Sequence, residues 1–547
     1  MGFQMKKDSI SSYMIKVFFM LVYGKHIFII FFIMALSCSK ESRKELMSFK
    51  ICWGAEPKSI DPQLAEDVLG FNIVIQMFSG IMDVDAQTGG YKAGLAKSWD
   101  ISADGLVYTF HLREGLVWSD GVSITAEGIR KSYLRILDKE TVAPFVSMLK
   151  STIKNADAYF EGKVSETELG IRAIDDKTLE ITLNNPKPYF LDMLVHQSFR
   201  PVPVHTIEKY GQKWTSPENM VVSGAFKLYK RVPNDKLVLV KNDKYYDAVQ
   251  VELDELVFYT VNNSSSSYRM YENDEIDMLT AGAIPPEAIK EIKFRSDYYT
   301  FPLMALYYLT FNTTLKPLDN VKVRESLTLA IDRKTLTSKV VDNGSIATRK
   351  VSPTFNNYSY GKELTFFDPH RAKKLLAEAG YPGGVGFPIL KLKYNTSESH
   401  KKICEFIQHQ WSKILNINVE LENEEWTTYL ASKGIGKYEI ARASWGGHYA
   451  DPLAFLSFLQ KEFSHFSSYK YFNEGYDDLI AQSDLEQDPI RRQDILRKAE
   501  AIIIEKDFPI APIYRYAGNY LFRNDKWTGW QPNSTERFVF YKLRRIK

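Results

Sequence analysis

The sequence predicts an α/β protein built as two or three lobes, and three observations carry that prediction. The chain has 547 residues, more than one ordinary hydrophobic core organises. Its hydrophobic content of 45% and charged content of 25% are those of a globular protein. Short segments of strand period are interspersed along the chain with amphipathic segments of helical period, the order that builds sheets flanked by helices.

Residues 1–37 stand apart from the fold. Ile27–Leu36 is an uncharged apolar run, preceded by Lys25 and followed by Ser37-Cys38, the layout of a signal peptide. Its 10 residues are too few to cross a bilayer as a helix. A start at Met14 or Met20 would give a signal of more usual length. Ala35-Leu36-Ser37-Cys38 reads as a relaxed lipobox with Leu36 two residues before the cysteine, so Cys38 is the expected lipidation site and 38–47 a polar tether. An acylated cysteine with two or more chains stays in a membrane. Lys6, Lys7, Lys16 and Lys25 against Asp8 give this segment a net charge of +3, equal to the +3 of the whole chain, so the remainder is near neutral. That balance argues against nucleic acid, which needs a concentrated basic surface.

Strand signals come next along the chain. Leu106–Leu112 places Tyr108, Phe110 and Leu112 on one face, and Leu179–Leu183, Lys236–Lys241, Leu253–Val261 and Asn418–Leu421 read similarly. Ser264–Ser267 reads as a short polar loop. Asp368-Pro369 opens a helix with Asp as cap and Pro in its first turn; Ala372, Leu375, Leu376 and Ala379 form its stripe, and Gly380 closes it. Ser399–Leu415 and Pro489–Glu505 are two further helices. Of 3 cysteines, Cys52 and Cys404 remain once Cys38 is acylated, and both sit in apolar contexts as expected of buried free thiols. The 32 Tyr, 33 Phe and 9 Trp suit large sheet cores or a broad ligand cleft. The sequence has no His-Glu-x-x-His, no Gly-x-Ser-x-Gly and no complete phosphate loop, and its histidines lack metal spacing, so neither an enzyme nor a metal or cofactor is expected.

Several segments occur in one order: Ser59-Ile60-Asp61-Pro62; Phe110–Gly121, FHLREGLVWSDG; Gly224–Leu228; Glu275-Ile276-Asp277-Met278; Asn320–Asp332; Tyr394-Asn395-Thr396-Ser397 with His400-Lys401-Lys402; and Ala441–Leu456, ARASWGGHYADPLAFL. Together they resemble the oligopeptide-binding proteins, the solute-binding subunits of peptide-importing ABC transporters. The resemblance implies a two-lobed periplasmic-binding-protein fold of type II with three domains and a multi-strand hinge. Domain I would be 48–78, 203–304 and 516–547, domain II 79–202, and domain III 305–515. It further implies an oligopeptide ligand, an ABC permease as partner, a monomer and an extracytoplasmic location. Rivals are another solute (a dipeptide, cell-wall peptide or nickel complex) or a surface interaction protein on the same fold.

Carried over by position, the resemblance implies that Glu66 and Val68 line the cleft from domain I. Tyr307 and Tyr308 match an aromatic run; neighbours on a strand face opposite ways, and Tyr308 is assigned to the cleft. Asn395 belongs to the matching Tyr394-Asn395-Thr396-Ser397 segment and is assigned to the ligand, and His400 and Arg442 match the end that meets a peptide carboxylate. Trp426 and Trp445 wall pockets, Ser444 offers backbone groups, and Tyr514 returns from the far edge. The bland alternatives are core aromatics for the tryptophans, a structural ion-pair partner for Arg442 and a helix-terminal residue for His400. Relatives carry an Asp that holds the peptide's α-ammonium where this chain has His448. Asp451 or Glu66 could supply the charge instead, or a free amino terminus is not required. Some relatives carry a disulfide at the positions of Ala305 and Gly446, and here both cysteines are absent.

Overall fold

The computed structural model describes residues 46–547 except 55, 356–357, 362–363, 365–366, 448 and 462–468. Cys38, the signal segment and most of the tether lie outside the described residues, as does His448. Ser48–Lys547 forms one unit.

The centre of this unit is a mixed sheet of 11 strands. In spatial order these are Val419–Glu424, Leu390–Asn395, Ile440–Gly446, Tyr298–Phe311, Ile510–Phe522, Met278–Leu279, Ser48–Cys52, Glu255–Tyr259, Lys236–Lys241 and Phe226–Val232, with Ile346–Ala347 paired to Ile510–Phe522 off this path. Tyr298–Phe311 and Ile510–Phe522 run antiparallel for most of their length and join the two halves of the sheet. Their register shifts between Pro302 and Leu306 and again between Tyr307 and Tyr308. Proline cannot donate to a ladder, so the strand bulges after Pro302. The freed Met304 N–H donates instead to the Ser534 carbonyl, and the Met304 carbonyl accepts from Gly447. The expected domain boundaries 304/305 and 515/516 fall inside these paired strands. Ala305 stands opposite Gly446 in the ladder.

A separate antiparallel sheet, Ala96–Ile101, Val107–Leu112, Thr178–Thr182 and Ile171–Asp175 in spatial order, lies wholly within 79–202. Tyr108, Phe110 and Leu112 form its buried face, as their alternation predicts. Helix Pro369–Glu378 is capped by Asp368, whose side chain accepts from Arg371 N, and the chain leaves at Gly380 with φ of +98°, a region that favours glycine. Helix Glu398–Leu415 is capped by Ser397 and buries Ile403, Cys404, Ile407, Trp411 and Leu415. Cys52 and Cys404 are buried and free. The helix from Pro489 ends at Ala501 and continues as a wider π-helical stretch, Ile502–Asp507, which keeps adjacent Ile503 and Ile504 both buried.

Ser264–Ser267, expected as a loop, is instead the first turn of helix Ser264–Glu272. Asn263 caps it, and Ser267 is buried, its hydroxyl 2.7 Å from the Ala283 carbonyl. Four consecutive serines conceal the apolar side, which Tyr271 supplies later.

Helix Val68–Met77 is tied to the C-terminal segment through two side-chain amides. Asn72 Nδ2 donates to the Glu536 carbonyl at 2.8 Å and its Oδ1 accepts from Phe538 N at 3.0 Å. Gln76 Nε2 donates to the Phe538 carbonyl at 2.7 Å and its Oε1 accepts from Phe540 N at 3.1 Å. Both amides are buried, so removing one leaves a backbone donor and acceptor unsatisfied. Gln76→Leu should lower unfolding free energy by about 1–3 kcal/mol or more, measured by urea denaturation. Unchanged stability would mean that the C-terminal segment is not held through Gln76.

Candidate ligand-binding site

A cavity of about 450 Å3 lies where three stretches of chain meet. Gly90, Tyr91, Tyr189 and Asp192 reach it from 79–202; Phe355, Tyr358, Asp451 and Arg492 from 305–515; Ser534 and Thr535 from the C-terminal segment. The Pro302 bulge brings Met304 to the same wall. Contacts across this junction are specific. The rings of Tyr189 and Tyr449 stack with centroids 4.9 Å apart. The Tyr189 hydroxyl donates to Asp484 at 2.9 Å, and Gln487 Nε2 donates to the Asp104 carbonyl at 2.8 Å.

Asp451 is held as a bidentate ion pair. Its carboxylate accepts from Arg492 Nη1 and Nη2 at 2.7 and 2.8 Å, and also from Leu453 N at 2.9 Å. Both partners are buried. A charge so engaged is neutralised within the protein.

A second polar centre forms around Arg442 on strand Ile440–Gly446. Arg442 is buried, and its Nε and Nη2 donate to Asn395 Oδ1 at 2.7 and 2.5 Å, with Nη1 3.5 Å from Ser444 Oγ. No carboxylate pairs with it among the described residues. Its guanidinium lies 5.8, 6.0 and 5.9 Å from the ring centroids of Tyr307, Trp426 and Tyr429, within cation–π range. Tyr514 stacks on Tyr307 at 4.8 Å. His400, in the first turn of helix Glu398–Leu415, sits 5.7 Å from the Tyr307 ring, and its Nδ1 is buried without a hydrogen-bond partner. Burial, with the Arg442 charge second, pushes the His400 pKa down to about 4. Lys433 follows Trp426 and Tyr429 on helix Trp426–Gly434; burial and the Arg442 charge lower its pKa to about 8. An excess of cationic groups among aromatic faces is suited to an incoming carboxylate.

Asn395, His400, Trp426, Arg442, Ser444 and Tyr514 therefore converge. Tyr308 points away from them: it is buried against Phe458 and Tyr469, and its hydroxyl bonds the Tyr469 hydroxyl. Tyr307 is the neighbour that joins the Arg442 group. Trp445 packs on Phe458 at 4.9 Å and donates from Nε1 to the Ala454 carbonyl at 2.6 Å. Glu66 and Val68 are exposed, and Glu66 pairs with Lys58 at 2.5 Å. Of the expected ligand-binding residues, Asp451 is the one among the described residues that lines the 450 Å3 cavity. Sequence reasoning missed Tyr307 as the partner of Arg442, and it missed Lys433, Arg492 and Asp192. The spacing Trp426, Tyr429, Lys433 on one helix face was a usable signal for Lys433, and a lone carboxylate in the apolar run Pro188–Val195 was one for Asp192.

Because His400 in the fold sits well below the ordinary histidine pKa of about 6.5, the unfolded chain binds more protons between the two values. Its contribution to stability is present above pH of about 6.5 and is lost as pH falls towards 4. NMR titration should find His400 neutral down to about pH 5, and Arg442→Gln should raise its pKa. An ordinary titration near 6.5 in the ligand-free protein would contradict a buried, neutral His400.

Comparison with known proteins fits this architecture. The model for bacterial extracellular solute-binding proteins, family 5 (middle region), matches residues 90–465. A crystal structure of a periplasmic oligopeptide-binding protein of an ABC transporter from Borrelia burgdorferi, OppAIV, is 59% identical, with TM-score 0.79, 91% of this chain and 100% of that chain covered. The periplasmic oligopeptide-binding protein OppA of Salmonella typhimurium is 35% identical over 485 residues, covering 87% of this chain and 88% of that protein. OppA of Haemophilus influenzae in complex with the peptide RPPGFSPFR superposes with TM-score 0.74 at 31% identity, covering 92% of this chain and 100% of that chain. The mixed sheet and its paired long strands are the fold of the type II periplasmic peptide-binding class. The chain belongs to the family 5 bacterial extracellular solute-binding proteins, a transport family rather than an enzyme class.

Proposed function

We propose that this protein captures oligopeptides outside the cytoplasm and delivers them to an ABC permease. The observation that carries the reading is Arg442: a buried guanidinium, bonded to neutral groups and walled by aromatic rings, beside a neutral His400 and a half-buried Lys433. That centre offers a peptide carboxylate charge-assisted hydrogen bonds and a stacking surface. The peptide-bound relative from Haemophilus influenzae supports the ligand class, and relatives named as periplasmic support the location. Strands that meet the ligand can bind its backbone, and waters in a roomy cavity tolerate varied side chains.

The three-part organisation (48–78 with 203–304 and 516–547; 79–202; 305–515) supplies the parts that close on the ligand. Ligand contacts made from several stretches at once favour the closed form. The protein acts as a monomer, without a catalytic role. Acylation of Cys38 tethers it to a membrane; Lys25, the apolar run before Cys38 and the polar 38–47 stretch support this. Cys38→Ser should release the protein from the detergent phase in phase partitioning, and persistence there would remove the lipid-anchor reading.

Calorimetry with oligoalanines of three to five residues tests the ligand reading. Amidation of the carboxyl end should weaken binding by about tenfold or more. Arg442→Gln should weaken the free-acid peptide to the level of the amide. Binding that ignores both changes would overturn the assignment of the carboxylate end, and no binding at all would overturn the peptide reading.

A further inference from the structure

The anchor for the other end of the ligand is the open question, because the position that carries an Asp in relatives is His448 here. Two substitutes suggested by the sequence are already engaged. Asp451 is clamped by Arg492 through two hydrogen bonds, and Glu66 is exposed and paired with Lys58. Among the described residues the cavity holds one further carboxylate. Asp192, on the short helix Phe190–Met193, lines it from the 79–202 side. It is half-buried and makes no hydrogen bond or ion pair among the described residues. Gly90 lies beside it on the same wall.

Charge and chemistry around Asp192 favour a cation. Among the described residues, the charged ones that line the cavity are Asp192, Asp451 and Arg492; the last two pair with each other, which leaves Asp192 as the unpaired charge on the wall, with the Arg537 charge near enough to act on it. Tyr91, Tyr189 and Tyr358 add aromatic rings to the same wall, surfaces that favour an ammonium. Met304 contributes an apolar patch. A carboxylate free of partners, set among aromatic rings, takes an alkylammonium group.

We propose that Asp192 is the anchor for the free α-ammonium of the bound peptide, taking the place of the acidic residue that His448 replaces. The proposal rests on the peptide-binding reading above. It gives the two ends of the ligand separate receptors: the Arg442 centre for the carboxylate and Asp192 for the amine.

A proton accompanies the binding event. Burial, then the nearby Asp451 charge, pushes the Asp192 pKa up to about 7, with Arg537 acting in the opposite direction. Arg492 is committed to Asp451, and Tyr91 and Tyr189 are themselves pushed upward by burial. Near pH 6.5 the empty site is therefore mostly protonated, whereas a peptide amine is charged, with a pKa of about 7.7–8.0. An arriving ammonium stabilises the carboxylate, so the Asp192 proton is released to solvent as the ion pair forms.

The test is calorimetry at pH 6.5, in buffers of different ionisation enthalpy, with tetraalanine free or acetylated at its amino end, on wild type and Asp192→Asn. The expected result is a penalty of about tenfold or more for acetylation in wild type, with release of most of one proton by the free peptide. Both effects should vanish in Asp192→Asn, while the penalty for carboxyl amidation stays. Asn keeps the shape and removes no bond, and a thermal melt of the variant confirms folding. An acetylation penalty that survives in Asp192→Asn overturns the assignment while leaving the peptide reading intact. Recovery of affinity by acetylated tetraalanine carrying one lysine would assign Asp192 to a side-chain ammonium and overturn it as the α-amine anchor. Failure of wild type to bind any of these peptides, amidated or free, would overturn the peptide reading and the proposal with it.

Discussion

The antiparallel pairing of Tyr298–Phe311 with Ile510–Phe522 is the constraint on which the rest depends. Remove it and the two halves of the large sheet have no common edge. Because side chains alternate along a strand, its register decides which residues can meet. Tyr307 is thereby placed with Tyr514, His400 and Arg442, and Tyr308 with Phe458 and Tyr469. The break after Pro302 has a second consequence. It turns the Met304 backbone away from its strand partner and towards Ser534 and Gly447, so one irregularity in the ladder helps build the cavity wall.

The buried arginines divide by what satisfies them. Arg324 bonds the carbonyls of Leu318, Asp507 and Phe508; Arg333 bonds those of Thr328, Ile331 and Pro512; Arg515 bonds that of Val351. These cations fasten loops and strand ends, and truncating one would strand carbonyls in the interior. Arg492 is satisfied by a carboxylate. Arg442 differs: it is bonded to an amide, lies near a hydroxyl, and is otherwise surrounded by ring faces. Among the described residues its charge has been taken out of water without a carboxylate partner, an arrangement that costs stability unless a ligand supplies one.

Much of this was legible in the sequence because it is local. The Asp368-Pro369 start, the Ser397 cap and the stripe Ile403, Ile407, Trp411 each follow from residues within a few positions of one another, and the structure contains them. The family motifs carried the fold, and positions on adjacent motifs, Asn395, His400 and Arg442, come together. What was not legible depends on distant partners. Asp451 looked available because Arg492 is 41 residues away, on helix Pro489–Ala501. Alternation allowed only one of Tyr307 and Tyr308 to face the site, and Tyr308 was assigned there until the contacts of the strand placed Tyr307 instead. Ser264–Ser267 looked like a loop because a helix can begin with polar residues when its buried contact comes from Ser267 and later from Tyr271.

The same distinction explains how a binding protein of this architecture can change one anchor without losing its ligand. The carboxylate centre is assembled on strands and a helix start, where each side chain is fixed by its neighbours. Asn395 and Arg442 share a hydrogen bond, so neither can change alone without orphaning the other. The amine end is built on short connections: the bend at 449–452, the four-residue helix Phe190–Met193 and the loop at Gly90. Groups on such connections approach a ligand from different stretches of chain and need not bond one another. A carboxylate lost from one can then be supplied by another across the cavity, provided that it enters unpaired. Asp451 fails that condition because Arg492 holds it; Asp192 meets it. The ligand's two charges would then be read by a rigid centre and a replaceable one, which fixes its direction.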